Sequence, residues 1–172
     1  MSSYHWMKRN LGGILMENNK TNWCQSVTGI VIRDNKVLLA RHTYGSGKGK
    51  LIVPGGYVEY GETPQEAVKR EYLEETNIVV EPKNIIGIRF NAHDWYIAFQ
   101  ADYISGEPAS DHDENSEVLW LEIEEALARE DVPDLTKKLI QCALNASRGL
   151  TPLPYNGNPA NGKGYLYGIK GE

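Results

Sequence analysis

The chain has 172 residues, of which 24% are charged and 41% hydrophobic, and a net charge of −5. That length suits one domain with a sizeable core and terminal extensions, while the acidic balance argues against broad binding to DNA, RNA or anionic membranes. No apolar run approaches the roughly 20 residues that span a bilayer, and the N-terminal MSSYHWMKRNLGGILMENN lacks the apolar stretch of a secretory signal, so a cytoplasmic protein is expected.

Residues 1–22 show no clear period and read as an N-terminal extension ahead of a domain spanning 23–148. Val27–Arg33 and Lys36–His42 are rich in Val, Ile and Leu and flank Asp34-Asn35, a pattern that predicts a hairpin. Tyr44–Lys50, YGSGKGK, is a Gly/Lys loop with a passing likeness to a P-loop. Tyr44 and Leu51 stand where that motif needs Gly and Ser or Thr, which rules it out. Lys48 and Lys50 remain candidates to meet a substrate phosphate. Leu51–Val53 predicts a short strand into Pro54-Gly55-Gly56. A helix follows, with Thr63 as N-cap, Pro64 at its first position, Glu66 completing a capping box and Asn77 ending it in the left-handed conformation.

Ile85–Phe90 and Trp95–Ile104 are further strand candidates, followed by a polar loop over Ser105–Ser116, a strand over Glu117–Leu121 and a short helix over Glu122–Arg129. Asp134–Ser147 reads as an amphipathic helix with Leu135, Leu139, Cys142 and Ala143 on one stripe. Residues 149–172 hold Pro, Gly and Tyr and read as a flexible tail. Cys24 and Cys142 are expected as reduced thiols, buried as small apolar residues. The order of elements predicts one α/β domain, a mixed sheet between helices.

The chemistry concentrates in GGYVEYGETPQEAVKREYLEE, Gly55–Glu75. Glu71, Glu74 and Glu75 are spaced i, i+3 and i+4, so they share one helix face and repel one another. A hard cation would turn that repulsion into a binding site, since Mg²⁺ takes carboxylate oxygens together with substrate phosphates. Ala67 falls inside the same arc and is expected to leave room for metal and water. Arg70 stands beside the arc and could hold one carboxylate. Gly55 and Gly56 let backbone come close enough for a carbonyl to reach the cation.

Gly56, Glu62, Arg70-Glu71 and Glu74-Glu75, with Ile78 beyond them, stand at the spacing of G-x5-E-x7-R-E-U-x-E-E-x-G-U. The chain therefore resembles the Nudix family of MutT-like hydrolases. Tyr72 replaces the usual aliphatic and Asn77 the second glycine; the first keeps the bulk and the second tolerates positive φ. The resemblance implies the Nudix fold, a mixed β-sheet sandwiched between α-helices in an α/β/α arrangement. It implies hydrolysis of a nucleoside diphosphate derivative, an NTP, nucleotide sugar or dinucleoside polyphosphate, by water attacking phosphorus. It further implies Mg²⁺, with Mn²⁺ as a substitute, held by Glu71, Glu74 and Glu75 with a Gly55 or Gly56 carbonyl and with Glu62 acting through water.

In the family the general base is a box glutamate or one from a later loop. Glu114 and Glu117 are the later candidates here, and Glu114 is preferred because it lies in an irregular loop free to bend toward the metal. Asp94 stands where the ADP-ribose subgroup carries proline, whereas Tyr96 falls where the diadenosine-polyphosphate subgroup favours tyrosine and is a candidate for substrate binding. A small nucleotide is the expected partner, without DNA or membrane, and the two extensions are long enough to wrap a second subunit in a homodimer. A non-catalytic nucleotide-sensing domain is the alternative, though such domains usually lose carboxylates that are present here.

Overall fold

The computed structural model describes residues 24–91, 94–145, 149–153 and 166–168. The expected N-terminal extension and much of the expected tail lie outside the described residues. β1 (Cys24–Arg33) and β2 (Lys36–His42) form the expected hairpin, Ile32 opposite Val37 and Arg33 opposite Lys36. Asp34 and Asn35 turn it with φ of 49° and 60°, a two-residue turn whose twist matches that of its strands. β3 (Leu51–Ile52) pairs with the far end of β2, along the edge whose near end pairs with β1, and β4 (Gly55–Tyr57) returns to pair with the first half of β1.

α1 (Pro64–Thr76) has the ends its sequence specifies. The Thr63 side chain accepts from the Glu66 N–H while Glu66 accepts from the Thr63 N–H, and Asn77 closes the helix at φ 59°. β5 (Val79–Phe90) and β6 (Asp94–Ser105) are an antiparallel pair, each longer than expected. β5 reaches back through Pro82 because it lies at the edge of the sheet, where a missing backbone donor is tolerated. β6 runs parallel to β1, with Val27 opposite Ile97. β7 (Asn115–Glu122) pairs with β2 and starts before the expected Glu117. α2 (Ile123–Ala128) and α3 (Asp134–Leu144) complete the domain.

The resulting sheet has seven strands in the order β3-β2-β1-β6-β5, with β4 added to β1 and β7 to β2. Strand residues alternate between its faces, so β1 sends Val27 and Val31 toward α1 and Ile30 toward α2 and α3. Val68 and Tyr72 pack on the first face, and Leu139, Ile140 and Ala143 on the second. This is the mixed α/β/α sandwich that the sequence predicts.

Four expectations need correcting. Ala67 is fully buried against the sheet, so its small side chain serves close helix–sheet packing rather than space for a cation. Cys24 and Cys142 are exposed free thiols: Cys24 starts a strand, and α3 rolls so that Thr136, Leu139, Ile140 and Ala143 face inward. Leu135 and Cys142 consequently leave the stripe. The tail contributes two short strands, β8 (Thr151–Leu153) and β9 (Leu166–Gly168), which pair with each other. Leu150 exchanges two backbone hydrogen bonds with Ile85, satisfying part of the β5 edge.

Candidate active site

The site forms where β1 changes partners. One edge of β1 is taken by β6, and β4 and β2 divide the other, β4 along Ser26–Thr28 and β2 along Ile32–Arg33. The second half of α1 crosses this divide. Tyr72, buried beneath it, donates its hydroxyl to the Gly29 carbonyl and so fixes the helix against the strand.

Arg70 binds most of the box. Its Nε and Nη2 donate to Glu62 at 2.9 and 2.8 Å, its Nη1 to Glu71 at 2.8 Å and to Glu74 at 3.3 Å, and its Nη2 also to the Tyr57 carbonyl at 2.9 Å. Burial works against the charge on Arg70, yet hydrogen bonds to Glu62 and Glu71 hold its pKa above the ordinary value. Glu62 and Glu71 are mostly enclosed, and Glu74 lies in the open.

Glu75 turns the other way, into the fold, and only 6% of it is exposed. Its Oε2 accepts from the Gly55 N–H at 3.4 Å. Burial, then the charges of Glu71 and Glu114, push its carboxyl up to about 8. Burial also raises Glu71, against the opposing pull of Arg70. Gly56 makes this arrangement fit: a Cβ there would lie 2.3 Å from Oε1 of Glu71.

Glu114 approaches from the β6–β7 loop. Its charge acts on both Glu71 and Glu75, and its Oε2 accepts from the Tyr44 hydroxyl at 2.9 Å. Glu117 is drawn to Arg41 instead, at 2.9 Å. Lys48 and Lys50 are exposed at the end of the β2–β3 loop, and neither is among the charges that act most strongly on Glu71 or Glu75. Tyr96 is partly buried, packed against the core beside Thr28, with the Arg89 guanidinium 4.9 Å above its ring. Burial pushes its hydroxyl up to about 12.

Three residues that sequence reasoning passed over shape this region. Tyr44 supplies the hydroxyl on Glu114. Asp111 accepts from the N–H groups of Asp113, Glu114 and Asn115 and so folds the loop that carries Glu114. An Asp beginning a short polar run is a signal for such a turn. Asn115 is 1% exposed, and its carboxamide lies close enough to Glu75 to favour the ionised form. Its Nδ2 nevertheless has no partner at hydrogen-bond distance among the described residues. The described residues also contain no ready cluster of three His, Cys, Asp or Glu side chains around one point; Arg70 holds Glu71 and Glu74 to one side and Glu75 turns to the other.

A family model of the NUDIX domain matches residues 24–141. The chain belongs to the Nudix family. An ADP-ribose pyrophosphatase of Methanocaldococcus jannaschii is 40% identical over 88 residues, 48% of this chain and 52% of that protein. An NAD-capped RNA hydrolase of Actinobacillus succinogenes is 34% identical over 137 residues, 73% of this chain and 50% of that protein. The chain thus spans about half the length of the curated relatives it matches. A NUDIX hydrolase from Nitrosomonas europaea shares the fold with a TM-score of 0.64 at 24% identity, covering 72% of this chain and 89% of that one. The MutT protein from Methanosarcina mazei aligns with a TM-score of 0.60 at 26% identity, covering 74% and 97%. Among the described residues, no helix is long and apolar enough to cross a membrane.

Proposed function

We propose that this Nudix chain is a Mg²⁺-dependent hydrolase that cleaves the pyrophosphate of a nucleoside diphosphate derivative by attack of water on phosphorus. The observation that carries the reading is that two box carboxylates meet the β4 backbone: Glu71 lies against Gly56, and Glu75 accepts from the Gly55 N–H.

The residues fit a hard divalent cation. All the nearby charged donors are carboxylate oxygens, the donor type that Mg²⁺ and Mn²⁺ prefer. Glycine at 56 leaves the carboxylate of Glu71 against bare backbone. The unpartnered Nδ2 of Asn115, buried near Glu75, is a donor that a ligand oxygen or water would satisfy. Glu71, Glu75 and, after swinging off Arg70, Glu74 would hold the ion, helped by the Gly55 or Gly56 carbonyl. Glu62 would act indirectly, by anchoring Arg70. When bound, the cation neutralises charge developing on the pyrophosphate oxygens.

Glu114 is assigned the proton. It lies on a loop pinned by Asp111, and its Oε1 is free to accept while Oε2 is occupied by Tyr44. As a water oxygen bonds phosphorus, its proton passes to Glu114; the bridging P–O bond breaks and the leaving phosphate departs with the electron pair. Glu117, paired with Arg41, is poorly placed for that work. The relatives' names point to ADP-ribose and NAD-capped RNA. Both join adenosine to a second moiety through a pyrophosphate, so these two compounds are the first substrates to try. Two free, exposed thiols support a reducing, cytoplasmic setting.

The test is a hydrolysis panel with Mg²⁺ or Mn²⁺: ADP-ribose, NAD and NAD-capped RNA, dinucleoside polyphosphates, nucleotide sugars and dNTPs. Turnover of at least one is expected, with Glu71→Gln silent throughout and Glu114→Gln slower by about 10²–10⁴. No turnover across the panel, with tight binding of one ligand, would replace the enzyme by a sensor.

A further inference from the structure

Among the groups around the carboxylates, the one without a role is Tyr44. It sits on the β2–β3 loop, far in sequence from α1, and reaches the site by a chain of contacts. Asn115 at the start of β7 pairs with His42 at the end of β2, across an irregularity in register. That pairing brings the two loops side by side. The Thr43 N–H donates to the Glu114 carbonyl at 2.9 Å, and the Thr43 hydroxyl lies 2.6 Å from the Asp113 carbonyl. Asp111 holds the Glu114 N–H from within its own loop. The backbone of Glu114 is therefore fixed on both sides, and what remains free is its side chain.

An exposed glutamate samples several rotamers, and only some of them aim its carboxylate at Glu71 and Glu75. The Tyr44 hydroxyl selects among them, donating to Oε2 at 2.9 Å. The ring that carries the hydroxyl is itself braced. It lies 4.1 Å from the His42 imidazole, centroid to centroid. His42 has room because position 47 is glycine, where a Cβ would come within 2.9 Å of the imidazole Cδ2. Burial and the charges of Glu114, Glu75 and Glu71 raise the phenol well above its ordinary value, so it stays protonated and remains a donor. A donor to one oxygen of a carboxylate leaves the other oxygen as the acceptor.

We propose that Tyr44 is a positioning residue for Glu114: its hydroxyl holds the carboxylate over the Glu71–Glu75 pair with Oε1 turned to the attacking water. The proposal rests on Glu114 being the proton acceptor. Tyr44 itself touches neither the reacting phosphorus nor the water.

A double-mutant cycle on the full chain, run with whichever substrate the panel identifies and at saturating Mg²⁺, tests it. Tyr44→Phe removes one oxygen from a half-exposed side chain, so the melting temperature should stay within a few degrees. Its kcat should fall about 5- to 30-fold, below the roughly 10- to 150-fold scale of a hydrogen bond to a charged group because the pair is half-exposed, with KM within about twofold. Glu114→Gln should lose about 10²–10⁴ in kcat. Adding Tyr44→Phe to Glu114→Gln should cost less than about twofold more, because the hydroxyl then has no base to aim. If Glu114→Gln is crippled while Tyr44→Phe leaves kcat intact, raises KM alone, or multiplies its loss onto the double variant, the role of Tyr44 is overturned and the base stands. If Glu114→Gln is unimpaired, the base assignment falls, and the positioning role with it.

Discussion

Gly55 and Gly56 are neighbours in one strand, yet alanine at each should fail in a different way. At Gly56 a Cβ would lie 2.3 Å from Oε1 and 2.5 Å from Cδ of Glu71. Those atoms end a flexible side chain, so the carboxylate can retreat by about 1 Å to reach ordinary contact. The retreat breaks the 2.8 Å bond from Arg70. Losing a partly exposed ion pair costs about 0.5–1.5 kcal/mol, and alanine recovers about 0.4–1 kcal/mol by restricting the unfolded chain. Stability should therefore change by less than about 1 kcal/mol. Activity should fall by about 10²-fold, the cost of a displacement of about 1 Å at a group with the role proposed for Glu71. At Gly55 the Cβ would meet the Val27 carbonyl at 2.2 Å and the Thr28 Cα at 2.8 Å. Those are backbone atoms of β1, so the β1–β4 ladder must part, at about 3 kcal/mol or more. Urea unfolding and kcat/KM measured on the same preparations separate the two. If Gly56→Ala keeps kcat/KM within about twofold, or loses as much stability as Gly55→Ala, the geometry assigned to Glu71 is wrong.

Three further outcomes follow from the helix and its carboxylates. Tyr72→Phe leaves the buried Gly29 carbonyl only the long 3.4 Å contact from the Thr28 hydroxyl and should cost about 1 kcal/mol in urea unfolding, a loss absent if water replaces the hydroxyl. Thr63→Ala removes the N-cap and half of the capping box and should cost about 1 kcal/mol with the m-value unchanged. Glu75 keeps its proton up to about 8 in the folded, metal-free protein, whereas in the unfolded chain it titrates near 4.3. Stability of the metal-free protein should thus be highest below pH 4.3 as far as this group is concerned, and fall between there and pH 8 by up to about 1.4 kcal/mol per pH unit. Glu75→Gln should flatten that decline, and urea midpoints at pH 5 and pH 8 that move equally in both proteins would contradict it.

What was legible in the sequence is what is decided locally. Thr63, Pro64, Glu66 and Asn77 mark the ends of α1 because caps and left-handed turns are chemistry within a few residues. Asp34-Asn35 marks the hairpin for the same reason. Ala67 shows the limit of helical projection, which places a residue on an arc and does not say where the sheet will lie. Tyr44 and Asn115 were beyond reach because the pairing of His42 with Asn115 brings their loops together, and nothing near either residue announces that register. The tail reads as loop because Pro and Gly recur in it, and its short strands exist by pairing with each other, Thr151 opposite Gly168, a contact that no local pattern announces.

The first turn of α1 is latched from a great distance along the chain. Buried Gln65 donates to the Tyr167 hydroxyl at 3.0 Å, and Tyr167 meets the edge of Phe99 with ring centroids 5.7 Å apart. On the ribosome, the helix bearing the carboxylates emerges long before its latch. Until Tyr167 clears the exit tunnel, Gln65 must find water or remain unsatisfied. A protease that trims the C-terminus would return the molecule to that unfinished condition and loosen α1 at the end opposite Glu75.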